Sequence, residues 1–267
     1  MKKNIILIIT LVFLIIALSG IWFWRSGFKK TDSSLSDVKK RGVLVVGSDI
    51  PYGVMEFFDQ NNKPVGIDVD VAKEIASHLG VKLEFNDYDW EQIFPLVKNG
   101  KIDLAMSSVT ITPDRQKEML FSQPYFNGGQ VIVVLSKNQE IKGVNSLSGK
   151  KIAVQKDTTS YTEAKKYTSE NLISSYLDFD GSGGAPNIVD DLKNEKVDAI
   201  IVDYTQALNI IKNNTSLKIV GVPFTKEDYG VVTKIGNNSL IEKVNLILQQ
   251  LKDDGTMDQI ETKWEKI

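Results

Sequence analysis

The sequence predicts an α/β fold of two lobes, preceded by an N-terminal hydrophobic helix. From residue 43 onward, short β-branched runs alternate with helical patterns, which is typical of a largely parallel sheet covered by helices. A weak internal repeat, in which residues 96–105 resemble residues 192–200, indicates that a second lobe follows the first. With 42% hydrophobic and 25% charged residues and a formal net charge of −2, the composition is that of globular domains with substantial cores.

The N-terminus is the exception to this composition. Lys2 and Lys3 precede an apolar run from Ile5 to Trp24, which at about 20 residues is long enough to span a bilayer. Residues 1–25 are therefore predicted to be a transmembrane anchor or a cleaved signal segment, with the rest of the chain exported. Lipid attachment is excluded, because Ile21 stands where a bacterial lipoprotein signal requires a cysteine.

Folding is expected to begin near Asp37, after a polar linker over residues 26–36 that has no apolar period. The elements of the first lobe follow in order: strands at 43–46, 82–85 and 102–106, and helices at 71–79, 90–98 and after Thr112. The same alternation predicts the second lobe: strands at 132–135 and 151–154, and helices at 160–166 and 188–194.

The end of the chain is predicted to rejoin the first lobe. Its last two helical segments, 241–251 and 257–264, carry apolar faces that need a host. Two strands would then cross between the lobes, near residues 125–129 and 226–230, where glycine tolerates the bending of a hinge. The predicted division is residues 37–127 plus 229–267 for the first lobe and residues 128–228 for the second.

A cation at the start of a helix points to an anion site. Thr112 suits an N-cap and Pro113 a first helical turn, so Arg115 stands at the end of a helix that favours negative charge. We interpret it, with the hydroxyls of residues 107–110, as half of a pocket for a small carboxylate. In open α/β sheets ligands gather beyond the carboxyl ends of strands, so the other half is expected around Asp203.

Several classes of function are excluded or disfavoured. The near-neutral charge has no dense basic run and argues against nucleic acid as a partner. With no cysteine, thiol catalysis and thiolate metal sites are excluded, and neither a P-loop nor a nucleophile elbow is present. We interpret Asp68 and Asp70 as acids at a helix entry, not as metal ligands, and His78, the one histidine, as a surface residue. No cofactor is expected, and the chain is not predicted to be an enzyme.

Five ordered stretches resemble one protein family. They are residues 66–76 (GIDVDVAKEIA), 103–115 (DLAMSSVTITPDR), 121–125 (FSQPY), 197–203 (VDAIIVD) and 251–256 (LKDDGT). The chain, over about residues 38–266, is similar to the bacterial extracellular solute-binding proteins of the polar amino-acid ABC transporter family, family 3. The resemblance implies a two-lobed periplasmic-binding-protein-like fold with two hinge-crossing strands, which closes on its ligand.

The resemblance also implies roles for individual side chains. Arg115 would bind the carboxylate of a free amino acid, aided by Thr110 and Thr159. Asp203 would neutralise the ammonium group, and Tyr52 and Trp90 would enclose the aliphatic part of the ligand. The full set implied at the ligand is Asp49, Tyr52, Trp90, Ser107, Ser108, Thr110, Arg115, Gln155, Thr159, Ser160 and Asp203.

By family position, the resemblance implies that Asp49 and Gln155 border the ligand's side chain. An acid beside two aromatic rings favours Arg, Lys, His or Gln over Glu. Two departures from the family pattern affect this end of the pocket. Met55 replaces a proline or aromatic residue, and residues 155–160 (QKDTTS) lack a usual glycine.

Each site residue also has a structural interpretation. Arg115 could pair with a surface acid, and Asp203 could cap a helix that begins at Tyr204. Trp90 could belong to the core, and Tyr52 could pack at the surface or hinge.

The predicted function is that of a monomeric receptor on the extracellular face of the bacterial cytoplasmic membrane. It would capture a free polar amino acid, with a basic or amide side chain favoured, and deliver it to the permease subunits of an ABC importer. The N-terminal helix would tether it to the membrane, or cleavage would release it. Two alternatives remain open: a sensor domain without transport, and a cyclohexadienyl or arogenate dehydratase-like enzyme on the same scaffold.

Overall fold

The computed structural model describes residues 32–179 and 186–265. The predicted N-terminal helix and most of the predicted linker lie outside these ranges. Within them, no helix is both long enough and apolar enough to cross a membrane.

Strands and helices alternate along the described chain. The first part contains α1 (Ser34–Arg41), β1 (Val43–Ser48), β2 (Phe57–Phe58), β3 (Pro64–Val65), α2 (Ile67–Leu79), β4 (Lys82–Asp87), α3 (Trp90–Lys98), β5 (Leu104–Ala105), α4 (Pro113–Gln116), β6 (Met119–Phe121) and β7 (Phe126–Gly128). The second part contains β8 (Gln130–Leu135), β9 (Lys151–Gln155), α5 (Thr159–Ser169), β10 (Ser175–Phe179), α6 (Pro186–Lys193), β11 (Ala199–Asp203), α7 (Tyr204–Asn213) and β12 (Leu217–Val220). The last part contains β13 (Glu227–Tyr229), β14 (Val232–Lys234), α8 (Asn238–Asp253) and α9 (Thr256–Glu265).

Regular structure begins earlier than predicted, because α1 starts at Ser34 and not near Asp37. Its first turn is tied to α8: the Ser34 and Ser239 hydroxyls lie 3.1 Å apart, and the Leu35 N–H donates to Ser239 Oγ at 3.3 Å. The buried side chain of Val38 joins the same core. A polar segment without an apolar period can therefore still form a helix when a neighbouring helix satisfies its first turn.

Each lobe contains a five-stranded mixed sheet. The strand order is β4-β1-β5-β14-β6 in the first lobe and β10-β9-β11-β8-β12 in the second. Three neighbouring strands in each sheet are parallel, and the remaining pairings are antiparallel. Four of the five strands in each sheet therefore run in the same direction, as expected for largely parallel sheets. The antiparallel strands β14 and β8 are the ones that enter a lobe directly after a crossing, and this reverses their direction.

The lobes are joined where predicted. The crossing strands β7 and β13 pair antiparallel, with Glu227 opposite Gly128 and Tyr229 opposite Phe126. The approach is close: a Cβ atom added to Gly128 would overlap the Tyr229 hydroxyl, so this hinge position requires glycine.

Helices cover both faces of the first sheet. On one face, Val46 and Leu104 share a core with residues from α2, α8 and α9, so the C-terminal helices return to the first lobe as predicted. On the other face, Ile93 and Val97 of α3 pack against Ala105 and other buried residues of the sheet. The second sheet likewise has a hydrophobic core on each face. The two lobes thus present the carboxyl ends of their parallel strands to a shared cleft.

Candidate ligand-binding cleft

The cleft between the lobes brings together residues far apart in the sequence. Its lining consists of Asp49, Tyr52, Trp90, Ser107, Ser108, Thr110, Arg115, Gln155, Thr158, Thr159 and Asp203. Every residue proposed from the sequence is therefore in the lining, except Ser160. Ser160 is buried, its hydroxyl lies 2.9 Å from that of Thr158, and it is Thr158 that faces the cleft.

A hydroxyl-bearing loop follows β5 at the carboxyl end of the strand. Ser108 adopts a left-handed backbone conformation with φ of 50°, and its N–H donates to Asp68 Oδ2 at 2.9 Å. The Ser107 hydroxyl donates to Glu56 Oε1 at 3.1 Å and accepts from the Asp49 N–H at 3.0 Å. Two buried acids behind the cleft therefore hold this loop in its unusual path.

Those two acids form a carboxyl pair. Burial raises the pKa of Asp68 to about 6, and burial together with the neighbouring Asp68 holds the pKa of Glu56 well above its ordinary value. The Tyr125 hydroxyl donates to Asp68 Oδ1 at 2.6 Å, which favours the ionised form of Asp68. We assign the proton of the pair to Glu56, because two adjacent carboxylates cannot both ionise readily in a buried site.

Asp70, two residues after Asp68 in the first turn of α2, has different hydrogen-bond partners. It accepts hydrogen bonds from Lys73, Lys263 and the Trp264 indole, at 2.8, 2.6 and 2.9 Å. The interpretation of Asp70 as a first-turn acid is confirmed.

Arg115 is held at the start of α4 as the sequence predicted. Thr112 is the N-cap, and its hydroxyl accepts from the Arg115 N–H at 3.2 Å. The guanidinium group donates to the Thr110 carbonyl at 3.0 Å and, across the cleft, to the Asp157 carbonyl at 3.2 Å. These partners are carbonyl oxygens, so the surface ion pair considered as an alternative is not what holds Arg115. Burial lowers the pKa of Arg115, and the nearby acids Glu227 and Asp203 oppose that effect.

Trp90 combines two roles. Its side chain is 6% exposed and belongs to a hydrophobic core with Ile93 and Val97, so the core interpretation holds. It also lines the cleft: the Arg115 guanidinium lies 5.4 Å from the centre of its ring, and its indole N–H donates to the Asp157 carbonyl at 3.4 Å. Core packing therefore fixes the orientation of an aromatic wall of the cleft.

Asp203 faces the cleft from the end of β11. It is the N-cap residue of α7, but its side chain makes no capping hydrogen bond. Its carboxylate instead accepts from the Tyr52 hydroxyl at 2.7 Å and from the Gln130 amide. Burial and the nearby Glu227 raise the pKa of Asp203 to about 7. The carboxyl group is thus aimed into the cleft and lacks a cationic partner among its hydrogen-bond donors.

Asp49 and Gln155 form a further contact between the lobes. The Gln155 amide approaches Asp49 Oδ2 at 3.5 Å, and both side chains are buried. In the neighbouring turn, Thr158 is the N-cap of α5: its hydroxyl donates to the Gln155 carbonyl at 2.6 Å and accepts from the Tyr161 N–H at 3.2 Å. The start of α5 is therefore fixed at the wall of the cleft, where Thr158 and Thr159 both line it.

Sequence reasoning missed three polar residues of this region. Thr158 lines the cleft directly, whereas Gln130 and Glu227 are buried beside it and bond to its lining residues. Glu227 lies in the crossing predicted near residues 226–230, and Gln130 directly follows the crossing predicted near residues 125–129. A polar side chain at each of these points was the available signal.

Comparison with known proteins gives consistent matches. Residues 44–267 match the family model for bacterial extracellular solute-binding proteins, family 3. The L-cystine-binding protein TcyJ of Escherichia coli (strain K12) is 32% identical over 232 residues, which cover 86% of this chain and 85% of that protein. The ABC transporter glutamine-binding protein GlnH of Bacillus subtilis (strain 168) is 31% identical over 280 residues, which cover 100% of this chain and 98% of that protein.

The solved structure of an ancestral arginine-binding protein bound to arginine is 41% identical to the chain, with a TM-score of 0.78. The match covers 84% of this chain and 98% of that one. The similarity therefore extends over both lobes and the cleft between them.

Proposed function

Because the chain belongs to the bacterial extracellular solute-binding proteins of family 3, we propose that its cleft binds a free polar amino acid by closure of the two lobes. In this proposal the closed protein delivers its ligand to the permease subunits of an ABC importer. The names of the relatives TcyJ and GlnH, which bind cystine and glutamine, support an amino acid as the ligand.

The observation that carries the proposal is the pairing of opposite charges across the cleft. Arg115 comes from the first lobe and Asp203 from the second, and both line the same space. A free amino acid carries a carboxylate and an ammonium group, and each would cost several kcal/mol if it entered a water-poor cleft without a partner. Since one partner lies on each lobe, a zwitterion would favour the closed arrangement over the open one.

We assign the contacts accordingly. Arg115 binds the ligand's carboxylate, together with backbone N–H groups of Thr110 and Thr159. Asp203 binds the ammonium group, with the Ser108 hydroxyl as a further acceptor. The Ser108 hydroxyl is buried and has no hydrogen-bond partner within the described part of the chain, which supports a role toward a ligand.

The side chain of the ligand is proposed to be cationic or an amide. Asp49 and Asp203 line the cleft with a single cation, Arg115, so the lining has an excess of negative charge. A zwitterion leaves that excess in place, whereas a cationic side chain beside Asp49 reduces it. The arginine bound in the ancestral relative is consistent with this choice.

The remaining features follow the same proposal. The lobes comprise residues 37–127 plus 229–267 and residues 128–228. The protein acts as a monomer outside the cytoplasm. Residues 1–25 tether it to the membrane, or their cleavage releases it. It binds its ligand without converting it.

A thermal-shift screen of residues 34–267 tests the proposal, because the compact unit begins at Ser34 and contains its own cores. The panel contains the twenty amino acids with ornithine and citrulline, and calorimetry follows for each hit. We expect one or a few polar amino acids to raise the melting temperature of the wild type and to leave that of Arg115→Ala unchanged. A flat screen on folded protein would contradict amino-acid binding, and turnover of prephenate or arogenate would establish the dehydratase alternative instead.

A further inference from the structure

A buried carboxylate in the hinge contacts both lobes. Glu227 lies on the crossing strand β13, and its side chain is 4% exposed. Its Oε2 atom accepts a hydrogen bond from the Thr110 hydroxyl at 2.7 Å and another from the Thr159 hydroxyl at 2.8 Å. Its Oε1 atom accepts from the Thr225 hydroxyl at 3.0 Å. One carboxylate oxygen thus joins a residue of the first lobe to a residue of the second.

These hydrogen bonds account for the burial of Glu227. A carboxylate removed from water must be compensated by donors, and three hydroxyls are aimed at its two oxygens. Two of the three hydroxyls belong to cleft residues on opposite lobes. If the lobes separated, Thr110 and Thr159 could no longer reach the same oxygen, and the carboxylate would lose a charge-assisted hydrogen bond.

We propose that Glu227 is a positioning residue that clasps the closed cleft by binding the Thr110 and Thr159 hydroxyls at a single oxygen. The clasp stabilises the closed arrangement whether or not a ligand is bound. It also fixes the direction of two protons at the cleft wall, and this second consequence rests on the proposed function.

The direction of those protons limits what the cleft offers a ligand. A threonine hydroxyl has one proton, and on both residues that proton is directed to Glu227. Toward the cleft, the two hydroxyl oxygens can then only accept hydrogen bonds. A ligand's ammonium group can use such acceptors, whereas a carboxylate near Thr159 must rely on the backbone N–H.

The clasp is connected to Asp203 through Gln130. The Gln130 side-chain amide donates to Thr159 Oγ1 at 3.0 Å and also to the Asp203 carboxylate. Thr159 therefore accepts from Gln130 while it donates to Glu227. A change at the hinge carboxylate is transmitted through Thr159 and Gln130 to the acid proposed to bind the ligand's ammonium group.

The test measures closure without ligand and then the kinetics of binding. Cysteines at the exposed positions Asn99 and Thr162, one on each lobe, carry spin labels, and the native chain contains no cysteine that would interfere. Residues 34–267 are compared as wild type, Glu227→Ala, Glu227→Gln and Thr159→Val. Asp228→Asn is the matched control, because it removes a charge from the next residue of the same strand, whose carboxylate binds Asn127.

We expect Glu227→Ala and Thr159→Val to reduce the ligand-free population at the short interlobe distance, and Asp228→Asn to leave it unchanged. A ligand found by the screen should dissociate from Glu227→Ala at least about tenfold faster than from the wild type. Its association rate should stay within about threefold of the wild-type rate. Glu227→Gln keeps an acceptor oxygen but loses the charge, so its ligand-dissociation rate should lie between those of the wild type and Glu227→Ala. Glu227→Ala and Thr159→Val should not be additive, because each breaks the same link.

An unchanged distance distribution in Glu227→Ala and Thr159→Val would overturn the clasp. If Glu227→Ala does not fold, Thr159→Val and Glu227→Gln carry the same comparison. If the wild type binds no amino acid, the proposed function fails, yet the ligand-free distances still decide whether Glu227 clasps the lobes.

Discussion

The Tyr52 hydroxyl donates a 2.7 Å hydrogen bond to Asp203 Oδ2, linking the two lobes across the cleft. A phenol can stabilise this buried carboxylate but cannot neutralise it. The raised pKa of Asp203, about 7, reflects that difference, because burial is the largest cause of the shift. A ligand's ammonium group would supply the missing positive charge.

Removing the charge of Asp203 should therefore weaken amino-acid binding strongly. We expect Asp203→Asn to cost more than about 2 kcal/mol of binding free energy, because the ammonium group would lose its ionic partner in a water-poor site. Titration calorimetry measures the loss. The control is Asp178→Asn, an exposed acid on β10 of the same lobe, which should bind like the wild type. Equal affinities for the two variants would remove Asp203 from the binding site.

Substitutions of Arg115 should separate the contribution of its positive charge to ligand affinity from that of its planar guanidinium group. Arg115→Lys keeps the positive charge but loses the planar group that contacts the Thr110 and Asp157 carbonyls and lies over Trp90. We expect a loss of at least about tenfold in affinity for Arg115→Lys and a larger loss for Arg115→Ala. The exposed Lys117→Ala serves as the control at the end of the same helix. Full affinity in Arg115→Lys would mean that charge alone suffices.

Amino-acid affinity should rise with pH between about 5.5 and 8. In the proposed complex the ammonium group binds ionised Asp203, whereas the free protein holds a proton there below the pKa of about 7. Linkage then predicts a dissociation constant about 30-fold larger at pH 5.5 than at pH 8, which means weaker binding at the lower pH. Calorimetry in buffers of different ionisation enthalpy should detect proton release on binding near pH 7. A pH-independent constant in this range would show that Asp203 does not titrate with binding.

The stability of the ligand-free protein should change with pH in the opposite direction. The folded state binds a proton at Asp203 between the ordinary pKa of 3.8 and the raised value of about 7, whereas the unfolded chain does not. The free energy of unfolding therefore falls as pH rises through this window, by about 1.4 kcal/mol for each tenfold drop in proton concentration. Denaturant titrations at pH 5, 6 and 7 should show a smaller fall for Asp203→Asn. A rise in wild-type stability over this range would contradict the assignment, since Asp68 and Glu56 act in the same direction.

The acids behind the cleft should respond unequally to substitution. Glu56→Gln should alter stability little near neutral pH, because the raised pKa of Glu56 already keeps it protonated. Asp68→Ala should cost about 2 to 5 kcal/mol, because the Ser108 N–H and the Tyr125 hydroxyl would lose their buried acceptor. Denaturant unfolding of both variants measures the difference. Equal losses would mean that the proton does not reside mainly on Glu56.

The sequence predicted much of the architecture, because hydrophobic periodicity and helix signals act locally. Thr112 and Pro113 start a helix with Arg115 in its first turn, as predicted from residue types alone. The two crossings were also predicted, from glycine near chain segments that had to change lobe.

Other features depend on tertiary contacts that no local pattern contains. Ser34 starts a helix because Ser239 lies beside it. Glu227 joins the cleft because two threonines from different lobes converge on it. Ser160 was expected to face the ligand but is buried while Thr158 lines the cleft, since the direction of a helix's first turn is set by how the helix packs on its sheet.

The central claim is that Arg115 and Asp203 bind the two charged ends of a free amino acid. The most direct measurement is calorimetric titration of residues 34–267 with the best amino-acid ligand, its decarboxylated amine and its N-acetylated derivative. We predict that each analogue binds at least about 100-fold more weakly than the parent, because each leaves one buried charge of the cleft without its partner. An analogue that binds within a few-fold of the parent would contradict the claim.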